Sequence, residues 1–234
     1  MKGFSLFDSV HLTWLLAILL FSIMTIITYR KLSERGQKVL QLILFFALLI
    51  LEISKQLYLI ITDQYSYWSP PLHLCGLGMF VIGWHIFWPN RTTATILYSL
   101  TLPGAAIALL FPGWATDPIG SFLHIHSFTF HALLVVYVLM LLTENQLSLY
   151  LKDLWKAALF LAITVPVIYV YNAKFSTNFM FLNKPVANTP LQWLYDAVGT
   201  SGYLFGLIAL VLVLWFILYS FFLFIQKKTA SENK

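Results

Sequence analysis

Stretches of about 20 apolar residues recur along this chain, each long enough to cross roughly 30 Å of hydrocarbon as a helix rising 1.5 Å per residue. Hydrocarbon offers no water to satisfy the backbone, so such stretches are confined to helices. We place seven spans, near 12–29, 39–61, 72–88, 93–111, 122–142, 154–171 and 201–225. The third and fourth are short and joined by Pro89-Asn90-Arg91, a sequence suited to a tight turn, so two helices are expected there and not one interrupted segment. The expected fold class is all-α: a polytopic membrane helix bundle forming a single integral membrane domain over residues 1–234. Composition agrees, with 60% of residues hydrophobic and only 10% charged. No cleavable signal peptide is visible, so the first span is expected to stay.

Orientation follows from the loop cations. Arg30, Lys31, Arg35, Lys38, Arg91, Lys152, Lys156, Lys227, Lys228 and Lys234 fall on one side, against Lys2, Lys174 and Lys184 on the other, with Lys55 inside a span. The N-terminus is expected outside and the C-terminus in the cytoplasm. Topology and anionic lipid then account for the net charge of +5. The partner implied is the bilayer, and no basic patch with interleaved aromatics calls for nucleic acid.

With that topology, most reactive side chains lie in the outer half of the membrane. Cys75, the only cysteine, sits with His73 near the outer end of span three. A lone cysteine in an apolar helix is more often packing than nucleophile. Here, however, Ser69 is a good N-cap and Pro70-Pro71 suit the first helical positions, which makes Cys75 about the sixth helical residue, near a terminus that favours thiolate. His131, in the middle of span five, faces the bundle interior if it avoids lipid, and is the best candidate base; satisfaction by a neighbouring carbonyl is the plainer alternative. His73 is two residues from Cys75 and serves only if the helix starts late. His124 and His126 lie nearer the interface. Glu52 and Lys55, three apart, share a helical face and either neutralise each other structurally or form a functional site. Asp8 and His11 share that spacing at the first helix, where capping is the simpler account. Asn172 and Asn178 either do turn work or orient a histidine or oxyanion.

Several runs together resemble the YwaF-like family of bacterial integral membrane proteins, whose animal relatives form the transmembrane protein 164 group. They are Asp8-Ser9-Val10-His11-Leu12, Pro71-Leu72-His73-Leu74-Cys75, Phe128-Thr129-Phe130-His131, and Asn172 followed by Thr177-Asn178-Phe179-Met180-Phe181-Leu182 with Lys184-Pro185. The resemblance implies a seven-helix membrane fold in a bacterial plasma membrane. From the animal branch it implies a lipid acyltransferase, with Cys75 as nucleophile and His131 as general base; read from their own positions, His73, Glu52, His126, Asn172, Asn178 and His11 are the candidates to support that pair or the substrate.

The reaction expected on this basis moves an acyl chain from a phospholipid to a lysolipid through an acyl-thioester, with no cofactor and no metal. Two other classes stay open. One is a metal-dependent lipid hydrolase holding zinc with some of His73, Cys75, His126 and His131, although only His126 and His131 approach a ligand spacing. The other is a transporter or receptor built on Glu52 and Lys55, against which the chain shows no internal repeat.

Overall fold

A computed structural model describes residues 3–187 and 189–232, with side chains through residue 224. Lys2 and Lys234, counted above for orientation, lie outside the described residues, as do the side chains of Ile225, Lys227 and Lys228. The chain divides into two compact units, Met1–Met180 and Phe181–Lys234.

The first unit is helical: α1 Ser9–Lys31, α2 Glu34–Ile61, α3 Leu74–Phe87, α4 Arg91–Ile96, α5 Leu102–Leu110, α6 Phe122–Thr143 and α7 Leu154–Phe175. A wide π-helical turn, Leu97–Thr101, joins α4 to α5 into one rod. Pro103 lies just beyond it, and a proline there lacks an N–H and crowds the carbonyl four residues back, demands that a widened turn relieves. Ordinary caps set the other boundaries. Asp8 accepts from His11 N at 2.9 Å to start α1, and Asn90 forms a capping box with Thr93 to start α4. The Pro89-Asn90 turn thus separates two helices, as expected.

Two ends of this unit can be told apart by their contacts. At one, Phe4 N donates to Ala115 O at 2.9 Å, Tyr58 stacks on Phe122 at 4.6 Å, and Tyr67 stacks on Phe175 at 4.3 Å. At the other, Gln37 Nε2 donates to Tyr29 O at 3.1 Å, Gln146 Nε2 donates to Gln37 Oε1 at 2.7 Å, and Arg91 lies over the Tyr150 ring at 4.4 Å. We call these the cysteine end and the glutamine end.

Six helical segments among the described residues are long and apolar enough to cross a membrane, which makes this a multi-pass membrane protein. The third expected span is the exception, because α3 has only 14 residues, about 21 Å of rise against roughly 30 Å of hydrocarbon. It still runs from end to end: His73, at its start, accepts from Met180 N, and Ile86 O, near its finish, accepts from Lys38 Nζ. Glycines allow its close approach. A Cβ on Gly78 would lie 2.7 Å from Thr101 Cγ2, and one on Gly83 2.7 Å from Phe45 Cε2. The α4–α5 rod and α6 are largely buried, whereas α1, α2 and α7 turn leucine, isoleucine and valine outward to lipid.

The second unit holds α8, Pro190–Glu232, broken at Gly199, whose φ of 67° and ψ of 178° suit glycine. The expected span from residue 201 matches the helix after this break. The preceding turns, from Pro190, fall outside the expected spans.

Candidate functional site

The start of α3 differs from the sequence expectation. Ser69 does not cap it: its Oγ accepts from Ser66 N at 2.9 Å, and Leu72 N donates to Pro70 O at 2.9 Å, so residues 66–72 form turns. The N-cap is His73, and Cys75 is therefore the second helical residue and not about the sixth. The earliest turn of a helix carries unsatisfied N–H groups and the positive end of its dipole, and Cys75 lies within it. The thiol is buried, and among the described residues it has no hydrogen-bond partner. Gly76 lets the Pro71 backbone lie across this first turn, since a Cβ there would meet Pro71 O at 2.4 Å.

His73, outside the helix, meets the condition set by the sequence. Its Nδ1 accepts from Met180 N at 3.3 Å, and its ring packs edge-on against Phe179 at 5.0 Å. A neutral imidazole accepting through Nδ1 carries its proton on Nε2, so His73 presents a donor. Asn172 makes this possible from a distance. Its Oδ1 accepts from Phe179 N and from Thr177 Oγ1, both at 2.8 Å, and its Nδ2 donates to Phe179 O at 3.0 Å. Asn172 thereby staples residues 177–179 onto the end of α7 and delivers the Met180 amide to His73. Asn178, half-buried, belongs to the same stapled turn.

His131 is half-buried in α6. Its Nδ1 lies 2.7 Å from Ser127 O, four residues earlier, and a carbonyl there requires the proton on Nδ1, leaving Nε2 as the basic lone pair. Trp114, in the loop between α5 and α6, stacks on the ring with centroids 4.8 Å apart and planes 19° apart. The imidazole is thus fixed by a carbonyl on its edge and an indole on its face. Nε2 makes no hydrogen bond to a described residue, so the resting structure does not join it to Cys75 Sγ.

Lys55 gathers the remaining groups. It lies within electrostatic reach of His73, His126 and His131 together, and His131 acts in turn on His73 and His126. Its ammonium is held by Glu52 Oε1 at 2.8 Å. Glu52, buried, also accepts from Gln56 Nε2 at 2.5 Å, and Gln56 Nε2 donates to Ser69 O at 2.8 Å. Through Gln56, the Glu52–Lys55 pair is an anchor for the loop before Cys75. His126 stacks on Phe130 at 5.6 Å, and its buried Nε2 has no partner among the described residues.

Two other histidines have structural work. Phe7 N donates to His11 Nδ1 at 2.9 Å, so His11 Nε2 carries the proton and donates to Leu109 O at 2.8 Å. Both nitrogens are engaged, and His11 ties α1 to α5 with nothing left for substrate. His124 accepts from Trp14 Nε1 at 2.9 Å in the aromatic core of Phe4, Trp14 and Phe128. Outside the membrane helices, Asp8 has its carboxyl held below the ordinary range by the amides of His11 and Ser5, and burial raises that of Asp117.

Among the described residues no three histidine, cysteine, aspartate or glutamate side chains are gathered as metal ligands. The zinc set offered by the sequence, His73, Cys75, His126 and His131, does not come together in that way. Sequence reasoning missed Trp114, for which no spacing gives a signal, while the neighbouring carbonyl expected as the plainer partner of His131 is Ser127 O, four residues earlier.

Fold and site together define a polytopic helical membrane protein with a helix-start thiol and an imidazole cluster at one end of the bundle. The chain matches the TMEM164 family over residues 4–219 and belongs to that family. No curated protein and no solved structure matches it.

Proposed function

We propose that this protein is a lipid acyltransferase of the membrane, with Cys75 as nucleophile and His131 as general base, moving an acyl chain from a phospholipid to a lysolipid. The observation that carries this reading is the place of Cys75 as second residue of α3, at the bundle end where His131 keeps a basic Nε2. His131 Nε2 takes the Sγ proton as the sulfur attacks an ester carbonyl. The tetrahedral intermediate collapses to an acyl-thioester, and the departing lysolipid oxygen receives the proton from His131. A second lysolipid hydroxyl, deprotonated by His131, attacks the thioester and restores the thiol. Substrate arrival must draw Sγ and Nε2 together, as catalytic hydrogen bonds often tighten only in the complex. Ser127 O supports the imidazolium.

The loop cations favour a glutamine end in the cytoplasm and a cysteine end outside, the arrangement expected in a bacterial plasma membrane, where acyl-CoA does not reach the thiol. Glu52 and Lys55 are tied through Gln56 to the Ser69 carbonyl in the loop before Cys75, which favours a supporting role over a separate ion pathway. The test is intact-protein mass spectrometry after incubation with mixed phospholipids. An acyl-sized adduct that neutral hydroxylamine removes, and that Cys75→Ala lacks, is the expected result. Unchanged lipid turnover by folded Cys75→Ser and His131→Ala proteins would overturn the assignment.

A further inference from the structure

The approach to α7, at the glutamine end, gathers cations without anions to match them. Arg91 Cζ lies 4.4 Å from the centroid of the Tyr150 ring, and Lys152 Nζ lies 5.7 Å from the same centroid. All three residues are exposed, and neither cation has an ion pair among the described residues. Asp153, next in the chain, does not neutralise them. Its Oδ1 is held by Lys156 Nζ at 3.0 Å, and its Oδ2 is buried, out of reach of a group arriving from outside. The face of the tyrosine ring attracts each cation, but the ring has no net charge and leaves their mutual repulsion standing.

The surface beside this pair decides the kind of anion. Leu151, Trp155, Leu159, Ile163 and Val167 follow one another at intervals of four and are all exposed. Residues four apart share a helical face, so α7 carries an apolar stripe toward lipid that begins next to Tyr150 and Lys152. Trp155, with Lys156 Nζ 6.0 Å from its ring, stands at the head of the stripe, where an indole suits the headgroup level. A soluble anion would meet the two cations and leave Leu151 and Trp155 unused. A lipid with an ammonium in its headgroup would bring a further cation to a place with no open carboxylate. An anionic lipid meets both halves of the surface: its phosphate faces the guanidinium fork of Arg91 and the point charge of Lys152, and its chain lies on the stripe.

We propose that Arg91, Tyr150 and Lys152 form a binding site for a phosphodiester lipid whose headgroup carries no amine, such as phosphatidylglycerol, in the leaflet at the glutamine end, with an acyl chain along Leu159, Ile163 and Val167. Arg91 opens α4 and Lys152 precedes α7, so a bound phosphate links two helices and stabilises the fold by mass action. The lipid is held and does not react. The site lies at the end opposite Cys75 and needs no turnover to detect, so it stands or falls apart from the acyltransferase assignment.

The test uses the full chain in a neutral detergent and reads its thermal unfolding midpoint against short-chain phosphatidylglycerol, short-chain phosphatidylcholine and free glycerol phosphate. The expected result is a saturable upward shift with phosphatidylglycerol and at least about tenfold weaker binding of the other two. A basic side chain at an anionic lipid surface is worth about fivefold in affinity, so Arg91→Gln/Lys152→Gln should weaken binding about 30-fold. Lys152→Gln alone, which leaves Arg91 on the Tyr150 ring, should cost about fivefold and serves if the double variant does not fold. Lys31→Gln/Arg35→Gln removes the same charge from exposed positions at the same end and should stay within about twofold of wild type. No shift, equal response to phosphatidylglycerol and phosphatidylcholine, equal response to free glycerol phosphate, or equal loss in the Lys31/Arg35 variant, the mark of a diffuse field, would each overturn the proposal.

Discussion

Replacing Gly76 by alanine tests most directly how α3 presents Cys75. The new Cβ would stand 2.4 Å from Pro71 O and 2.8 Å from Pro71 C, where ordinary contact begins at 3.4 Å, so something must yield by about 1 Å. The obstruction is backbone, flanked by a proline and by Ser69, whose carbonyl is held by Gln56. It cannot swing aside as a side-chain tip would. Overpacking of this kind costs about 1–3 kcal/mol, partly offset by up to about 1 kcal/mol of helix propensity gained by alanine, for a net loss of about 1–2 kcal/mol. The larger consequence is at the neighbouring thiol, where a misplacement of about 1 Å lowers a reaction rate on the order of 100-fold. Gly78→Ala is the control, because its obstruction is the Thr101 side chain, with Cγ2 at 2.7 Å, and Thr101→Ser removes that methyl. Thermal unfolding and the rate at which a maleimide labels Cys75, the only thiol, read the two effects. Gly76→Ala is expected to lower the midpoint and to change labelling several-fold, and Gly78→Ala/Thr101→Ser to match wild type in labelling. Wild-type midpoint and labelling in Gly76→Ala would refute the close approach of Pro71 to the first turn.

Three further outcomes are expected. Trp114→Ala removes the stack on His131, about 0.5–1.5 kcal/mol of ring contact, and should lower the yield of acyl-thioester about 2- to 12-fold in the mass assay, while Trp114→Phe, which also removes an unpartnered buried N–H, stays near wild type. Asn172→Leu leaves the Phe179 N–H and C=O unmatched, each costing about 1–3 kcal/mol, so the unfolding midpoint should fall sharply, with Asn172→Asp intermediate. Asp8 is held below its ordinary value of 3.8, so its contribution is complete above that pH and is lost only as pH falls through the lower folded value. The protection factor of the amides at the start of α1, with the intrinsic pH dependence of exchange divided out, should accordingly be flat from neutral pH to about 5 and fall only in stronger acid, a fall absent in Asp8→Asn.

Span positions were legible because apolar length in lipid admits one solution, the helix. The onset of α3 was not. Ser69-Pro70-Pro71 carries the residue types of a cap and first turn, yet Ser69 Oγ and Pro70 O serve local turns, and these compete with the helix for the same segment. Asp8 and His11 show a half-legible case: the cap is as read, but the ring of His11 reaches Leu109, a contact set by packing of α1 on α5. Trp114 reaches His131 only through the path of a loop that Phe4 holds by its amide, and no periodicity encodes that path.

The protonation pattern of the imidazoles, more than their nearness to the thiol, decides which of them can act as base. His11 has both nitrogens engaged, and His124 has its lone pair engaged by Trp14. His73 accepts through Nδ1 and so presents a proton. His131 and His126 both keep an Nε2 without a hydrogen bond among the described residues, and both have a backbone partner for the ring, Ser127 for His131 at 2.7 Å and Leu51 for His126. A base whose tautomer is already set avoids reorganisation at the moment of transfer. His131 is held in this way by Ser127 O at 2.7 Å, as the aspartate of a serine protease orients its histidine.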